Sequence, residues 1–178
     1  TLVIINDIIR KYYLLIMDNL EIERRYILKN IPDIEFDDIL DISQFYIKRD
    51  GVWERYRKTI NNQKDVIYHK TIKRKIKQGI SNESEWVITE ELFDNEVKEC
   101  YSPTSDSRTI SKKRYIKYVS DGLKWEIDEF NDIRLIIAEI EIPTLDHFVL
   151  IPDWLIGQKI KEVTNHKEFS NRRLAKKI

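Results

Sequence analysis

Short runs of β-branched and aromatic residues, broken by turn signals, dominate the chain from Asn19 onward, and within each run apolar and polar positions alternate. Asp50-Gly51, Gln78-Gly79 and Asp121-Gly122 mark three of the turns. The rhythm predicts an antiparallel meander with strands at about 20–28, 42–49, 51–60, 64–74, 82–89, 108–119, 122–130 and 134–142. Eight strands are enough to close a barrel.

Helical spacing appears in few places. Leu2, Ile5, Ile8, Ile9, Tyr12, Leu15 and Ile16 form one face of a predicted amphipathic helix over residues 1–16, with Asn6, Asp7, Arg10 and Lys11 toward the other. That segment lacks the small-residue cleavage site of a signal peptide, and Met17, the single methionine, is a candidate natural start just downstream of it. Residues 1–16 are therefore taken as an extension and 17–178 as one domain. Further helices are expected at about 90–100, near 144–149 and from about 167 to 177.

The alternation matters most where it involves charge. Side chains two apart on a strand share a face, so a charge-x-charge spacing sets both charges on one side. Glu21-Ile22-Glu23 runs on to Arg25, and Arg55-Tyr56-Arg57, Lys112-Lys113-Arg114, Glu126-Ile127-Asp128 and Glu139-Ile140-Glu141 repeat the theme, with Glu83-Ser84-Glu85 a weaker member. With 31 acidic residues among 178, chance alone supplies about five acid-x-acid pairs, so no single one decides anything. Their joint arrangement does, because Ile22, Tyr56, Ile127 and Ile140 place an apolar face opposite the charged one in strand after strand.

Two architectures satisfy this pattern. An open sheet would pack its apolar face on a core and leave the charges in water. A sheet closed on itself with the charges inward would set acids and bases facing one another across a narrow lumen. Carboxylates crowded in such a lumen repel unless a cation neutralises them, and oxygen ligands suit magnesium or manganese rather than zinc. Arginines and lysines at the same level would meet a polyanion, guanidinium forks matching phosphate oxygens.

Composition narrows the alternatives. The 178 residues suit one domain, and 31 basic residues cancel the 31 acidic ones, so the overall balance suggests no nucleic-acid coat. Cys100 is the single cysteine, which excludes an internal disulfide and fits a reducing cytoplasm. His69, His147 and His166 lie far apart and never at i, i+4, against a zinc site. No run approaches the ~20 apolar residues of a membrane span. With four glycines and no glycine-rich phosphate loop, phosphate must be gripped by side chains.

Glu21-Ile22-Glu23-Arg24-Arg25 resembles the Glu-x-Glu-x-Lys signature that opens members of the CYTH, or triphosphate tunnel metalloenzyme, superfamily. The resemblance continues in order through Gln44-Phe45-Tyr46-Ile47, Arg55-Tyr56-Arg57, Thr71-Ile72-Lys73, Lys112-Lys113-Arg114-Tyr115, Trp125-Glu126-Ile127-Asp128, Ala138-Glu139-Ile140-Glu141 and Glu162-Val163-Thr164. It covers residues 19–175, and its ending, Asn171 with Leu174-Ala175, looks like the short bacterial members that hydrolyse inorganic tripolyphosphate.

The resemblance implies a mainly β fold (α+β), a closed eight-stranded antiparallel barrel with flanking helices, and a metal-dependent triphosphatase acting on tripolyphosphate or a nucleoside or other organic triphosphate. It implies Glu21, Glu23, Asp128, Glu139 and Glu141 as ligands to magnesium or manganese, and Arg25, Arg55, Arg57, Lys73, Lys112 and Arg114 as phosphate-binding residues. Glu83, Glu85 and Glu126 would support them, and Arg25, Tyr46 and Glu23 would act in catalysis.

Two departures bear on this. Arg25 stands where the family usually has lysine, and arginine cannot serve as a general base. Ser81-Asn82 occupy the place of an arginine that short bacterial members tend to carry.

Competing readings are a class IV-type adenylate cyclase, against which no histidine precedes Glu21, and an RNA 5′-triphosphatase, for which Lys70, Lys73, Arg74, Lys75 and Lys77 could form a groove. A third is a non-catalytic polyphosphate- or nucleotide-binding module. The expected partner is a triphosphate-containing small molecule, with no membrane; a homodimer is one option for assembly.

Overall fold

The structure is a computed structural model, described here over residues 20–77 and 80–178. Ten strands follow the chain: β1 (Leu20–Leu28), β2 (Asp38–Arg49), β3 (Val52–Ile60), β4 (Val66–Lys77), β5 (Ile80–Ile88), β6 (Ser107–Tyr118), β7 (Lys124–Phe130), β8 (Ile136–Glu141), β9 (Lys159–Glu162) and β10 (Lys176–Lys177). The helices are α1 (Glu90–Cys100) and two single turns, α2 (Asp153–Ile156) and α3 (Asn171–Leu174). The helix expected over residues 1–16 lies outside the described residues, as does the Gln78-Gly79 turn.

The antiparallel pairing runs β6-β2-β3-β4-β5-β1-β8-β7, and β7 pairs β6 again, so the sheet curls round on itself into a tunnel. β2 and β3 pair from Asp41 to Arg49, and among the described residues β1 meets β5 at Leu20, Glu21 and Ile22 before passing to β8 from Glu23 to Ile27. The expected closed eight-stranded barrel is realised instead as a strongly curled, tunnel-like sheet. β9 adds to β1 and β10 to β6.

Local chemistry sets the strand ends. Asp50 and Gly51 both take positive φ, 49° and 80°, the geometry of the tight turns that match the twist of paired strands. β4 starts at Val66 rather than at 64 because Asn61 organises the preceding turn: its side-chain oxygen accepts from the Gln63 and Asp65 amides, and Lys64 sits at φ 69°. α1 begins where Thr89 caps it, its hydroxyl accepting from the Leu92 amide, with Glu90 and Glu91 in the first turn.

Two helix expectations need correction. Residues 144–149 form turns and extended chain between Pro143 and Pro152, not a helix. The stretch from 167 to 177 breaks into a 3-10 turn (Lys167–Phe169), α3 and β10. Lys176 and Lys177 instead pair with Thr109 and Arg108, adding a short strand beside β6.

The apolar residues between the charges face outward and are covered. Tyr26, Trp125, Ile127, Ala138 and Ile140 are buried with Val149 and Leu155 from the segment after β8. On the opposite wall, Ile47, Tyr56 and Tyr68 pack beneath Phe93 and Cys100 of α1. Burying each such large side chain contributes on the order of 1.5–3 kcal/mol, enough to hold the sheet with its charges turned inward. Inside the tunnel, Tyr46, Ile110, Phe130 and Ile137 make an apolar plug against Leu174 and Ala175. Cys100 is buried, its thiol pushed up to about 11 by burial, as suits a structural residue.

Candidate active site

Strand parity determines which side chains share the lumen. Arg25 of β1 stands opposite Glu139 of β8, which stands opposite Glu126 of β7. Asp128 faces Arg114 of β6, and on the other wall Arg55 faces Thr71, which faces Glu85. The charge-x-charge pairs of separate strands therefore meet inside the tunnel, and the open solvated sheet does not apply.

Two ion-pair networks result. In the first, the Arg114 guanidinium forks onto Asp128, Nε to Oδ1 at 2.7 Å and Nη2 to Oδ2 at 2.8 Å, while also pairing with Glu126 and reaching Glu139 at 3.4 Å. Lys112 pairs with Asp128 from beneath and donates to Asn171 Oδ1 at 3.0 Å. Arg25 links Glu23 to Glu139, with Nε 2.7 Å from Glu139 Oε1.

In the second, Arg55 Nη2 lies 2.7 Å from Glu83 and 3.1 Å from Glu85. Thr71 is buried between them, accepting from Arg55 at 3.0 Å and donating to Glu85 at 2.7 Å. Arg57 pairs with Glu85 at 2.9 Å, and Lys73 joins Glu21 to Glu83.

Electrostatics separate the carboxylates by role. Burial and the nearby Glu139 push Glu23 up to about 7, outweighing Arg25 and Lys73. Burial, then Glu21 and Glu126, raise Glu141 likewise. Asp128 goes the other way: burial opposes it, yet Arg114 and Lys112 hold it down to about 2. Lys112 and Asp128 have side chains only 0% and 1% exposed, so Lys112 serves Asp128 from below rather than facing the open lumen.

The sequence-predicted residues are thus brought together with one separation. Glu21, Glu23, Glu139 and Glu141 gather on adjoining β1 and β8, where Glu23 stands opposite Glu141. Tyr46 is set apart from Arg25 and Glu23: its hydroxyl donates to Gln44 at 3.1 Å, and its electrostatic neighbours are Arg55, Lys73 and Arg57. Gln44, Thr71 and Asn171 are polar members of the lumen that the charge pattern alone missed. Their two-residue spacing from Tyr46 and Lys73 was the available signal for the first two.

The donor set fits a divalent cation in chemistry. Eight predicted lumen carboxylates outnumber the six predicted cationic side chains, although Lys124 also pairs with Glu126, and Glu23 and Glu141 are raised by burial and then by neighbouring carboxylates. Among the described residues, however, no three acidic, histidine or cysteine side chains already converge as a ligand cluster, since arginine and lysine occupy the carboxylate oxygens.

A strand-built tunnel with a charged lumen is the class of protein that fold and site define. No family model matches the chain. A stretch of 83 residues, 46% of the chain, is 37% identical to the inorganic triphosphatase of Acetivibrio thermocellus, of which it spans only 50%. The crystal structure of the inorganic triphosphatase NE1496 superimposes with a TM-score of 0.57 over 87% of this chain and 93% of that one, at 26% identity. The PH1819 protein of Pyrococcus horikoshii OT3 shares the fold, with a TM-score of 0.56 over 71% of this chain and 80% of its own, at 19% identity. The chain is thus similar to inorganic triphosphatases, in sequence over that stretch and in fold over most of its length. Among the described residues no helix is long and apolar enough to cross a membrane.

Proposed function

We propose that the chain is a triphosphatase that draws an inorganic or organic triphosphate into the lumen and hydrolyses its terminal phosphate with magnesium or manganese. The observation that carries this reading is the interior itself: arginines and carboxylates from facing strands are buried together in one channel, where a polyphosphate chain can exchange places with the carboxylates as guanidinium partner. The inorganic triphosphatases of A. thermocellus and NE1496 support the same reading.

Glu21, Glu23, Glu139 and Glu141 would hold the cation, with Asp128 the least available because Lys112 and Arg114 already neutralise it. A bound divalent ion supplies charge neutralisation for the phosphoryl oxygens and lowers the pKa of an attacking water. Arg55, Arg57 and Lys73 lie on one wall to receive phosphate oxygens once Glu83 and Glu85 yield them. Arg114 and Arg25 do the same on the other. Tyr46, whose hydroxyl burial keeps protonated, can orient an oxygen but not take a proton from it.

The test is phosphate release from tripolyphosphate, ATP and thiamine triphosphate with magnesium or with manganese. Turnover of at least one substrate is expected, falling about a hundredfold or more in Glu23→Gln. Absence of release from all three with either ion refutes the reading.

One observation favours a second reading, a tunnel that binds without turnover. Arg25 fills the position where lysine is usual in the superfamily and is clamped between Glu23 and Glu139, so it offers no removable proton. Micromolar tripolyphosphate binding with no phosphate release would establish that alternative.

A further inference from the structure

Beyond the apolar plug the tunnel wall carries a second basic feature, separate from the lumen networks. A cavity of about 230 Å³ is lined by Lys48, Trp53, Asp106, Arg108, Arg172 and Arg173. Arg108 and Arg172 stack on the Trp53 ring, their guanidinium carbons 5.5 and 5.1 Å from its centre. Strand pairing sets Tyr46 between Arg108 of β6 and Arg55 of β3.

The cations here differ from those in the lumen. Among the described residues, Lys48, Arg108, Arg172 and Arg173 have no carboxylate within ion-pair distance, although Asp106 lines the same cavity. Arg108 Nε is buried without a hydrogen-bond partner. Burial and the charges of Arg173 and Arg108 lower the Arg172 pKa, a sign of positive charge without compensation. Aromatic stacking holds two guanidinium groups together but satisfies none of their N–H donors. The volume lies below the ~300 Å³ at which sites for drug-sized ligands begin, which suits a small, densely charged anion.

We propose that this cavity is a second anion site that takes orthophosphate or pyrophosphate and clamps the C-terminal cap to the tunnel wall. Lys48, Trp53 and Arg108 belong to β2, β3 and β6, whereas Arg172 and Arg173 belong to α3, so one anion bridges wall and cap. The adjoining Asn171 accepts from Lys112, which places the clamp one residue from the network beneath Asp128. The site does not depend on the chain's being a triphosphatase.

Calorimetric titration of the full chain with pyrophosphate and, separately, with orthophosphate tests it, and comparing the two shows which anion is preferred. In an Arg57→Gln background, which weakens the lumen, at least one of them should still bind. Adding Arg108→Gln and Arg172→Gln should weaken that binding at least tenfold. Because those two side chains pack on Trp53, the exposed pair Lys48→Glu and Arg173→Glu is the second variant; it should weaken binding as much with an unchanged circular dichroism spectrum. Failure of both anions to bind, or binding that the pocket variants leave intact, overturns the proposal.

Discussion

Asp128 shows how the interior trades stability for charge placement. Its carboxylate is wholly buried, gripped by Arg114 on both oxygens and by Lys112 from below, and Lys112 in turn depends on Asn171. Removing one partner of a buried ion pair strands the other charge, which costs about 3–5 kcal/mol. Asp128→Asn should therefore lower unfolding free energy by about that amount in urea titration, and Asp128→Asn with Lys112→Met should recover part of it. A loss below 1 kcal/mol in the single variant would show that Arg114 and Lys112 find other partners. The i, i+2 companions of Glu21, Arg55 and Glu139 put like charges on one strand face, but only the resemblance to triphosphate tunnel proteins placed that face in a lumen. Asn171 could not be read as a lumen residue from spacing, because it lies on a one-turn helix that reaches the interior only through the fold of the C-terminal segment.

At the level of elements, the eight wall strands were legible because alternation and turn chemistry agree. Asp50-Gly51 and the Asn61 turn punctuate where the pattern stops. The sections after Glu141 were not legible, because their apolar residues cover an outer wall whose shape is set by other strands, and no periodicity records that. The outer wall also carries a polar network that alternation did not flag. Glu54 accepts from the Tyr56 hydroxyl at 2.6 Å and pairs with Arg49 at 2.9 Å and Lys70 at 3.1 Å.

Burial would raise the Glu54 pKa, but Tyr56, Lys70 and Arg49 outweigh it and hold the carboxyl below its ordinary range. A group with a depressed folded pKa stabilises fully above its unfolded pKa of about 4.3, and the contribution disappears as pH falls through the folded value. Glu54→Gln should cost about 1–2 kcal/mol at pH 7 and progressively less below pH ~4. Melting curves of both proteins across that range check it, and a gap that persists at pH 2 would refute the assignment.

On the scale of the whole molecule, the wall of the tunnel inverts the usual sheet: the greasy face is outside, under α1 and the segment after β8, and the charged face is enclosed. Ion pairs within the lumen hold the strands in register, while burial and then neighbouring carboxylates raise Glu23 and Glu141. Those two carboxylates stand opposite each other on β1 and β8. A divalent cation bound there would offset the repulsion among these carboxylates and bridge β1 to β8, so metal binding should appear as stability even without substrate. Binding to the folded state alone adds about 2.7 kcal/mol when the free ion is a hundredfold above its dissociation constant. Millimolar magnesium or manganese should therefore raise the melting temperature by several degrees over a chelator control, and Glu23→Gln with Glu139→Gln should abolish most of that rise while sodium at matched ionic strength gives none. An identical melting temperature with chelator and with either divalent ion would mean that arginine and lysine already balance the lumen, and that the carboxylates of β1 and β8 serve the strand pairing alone.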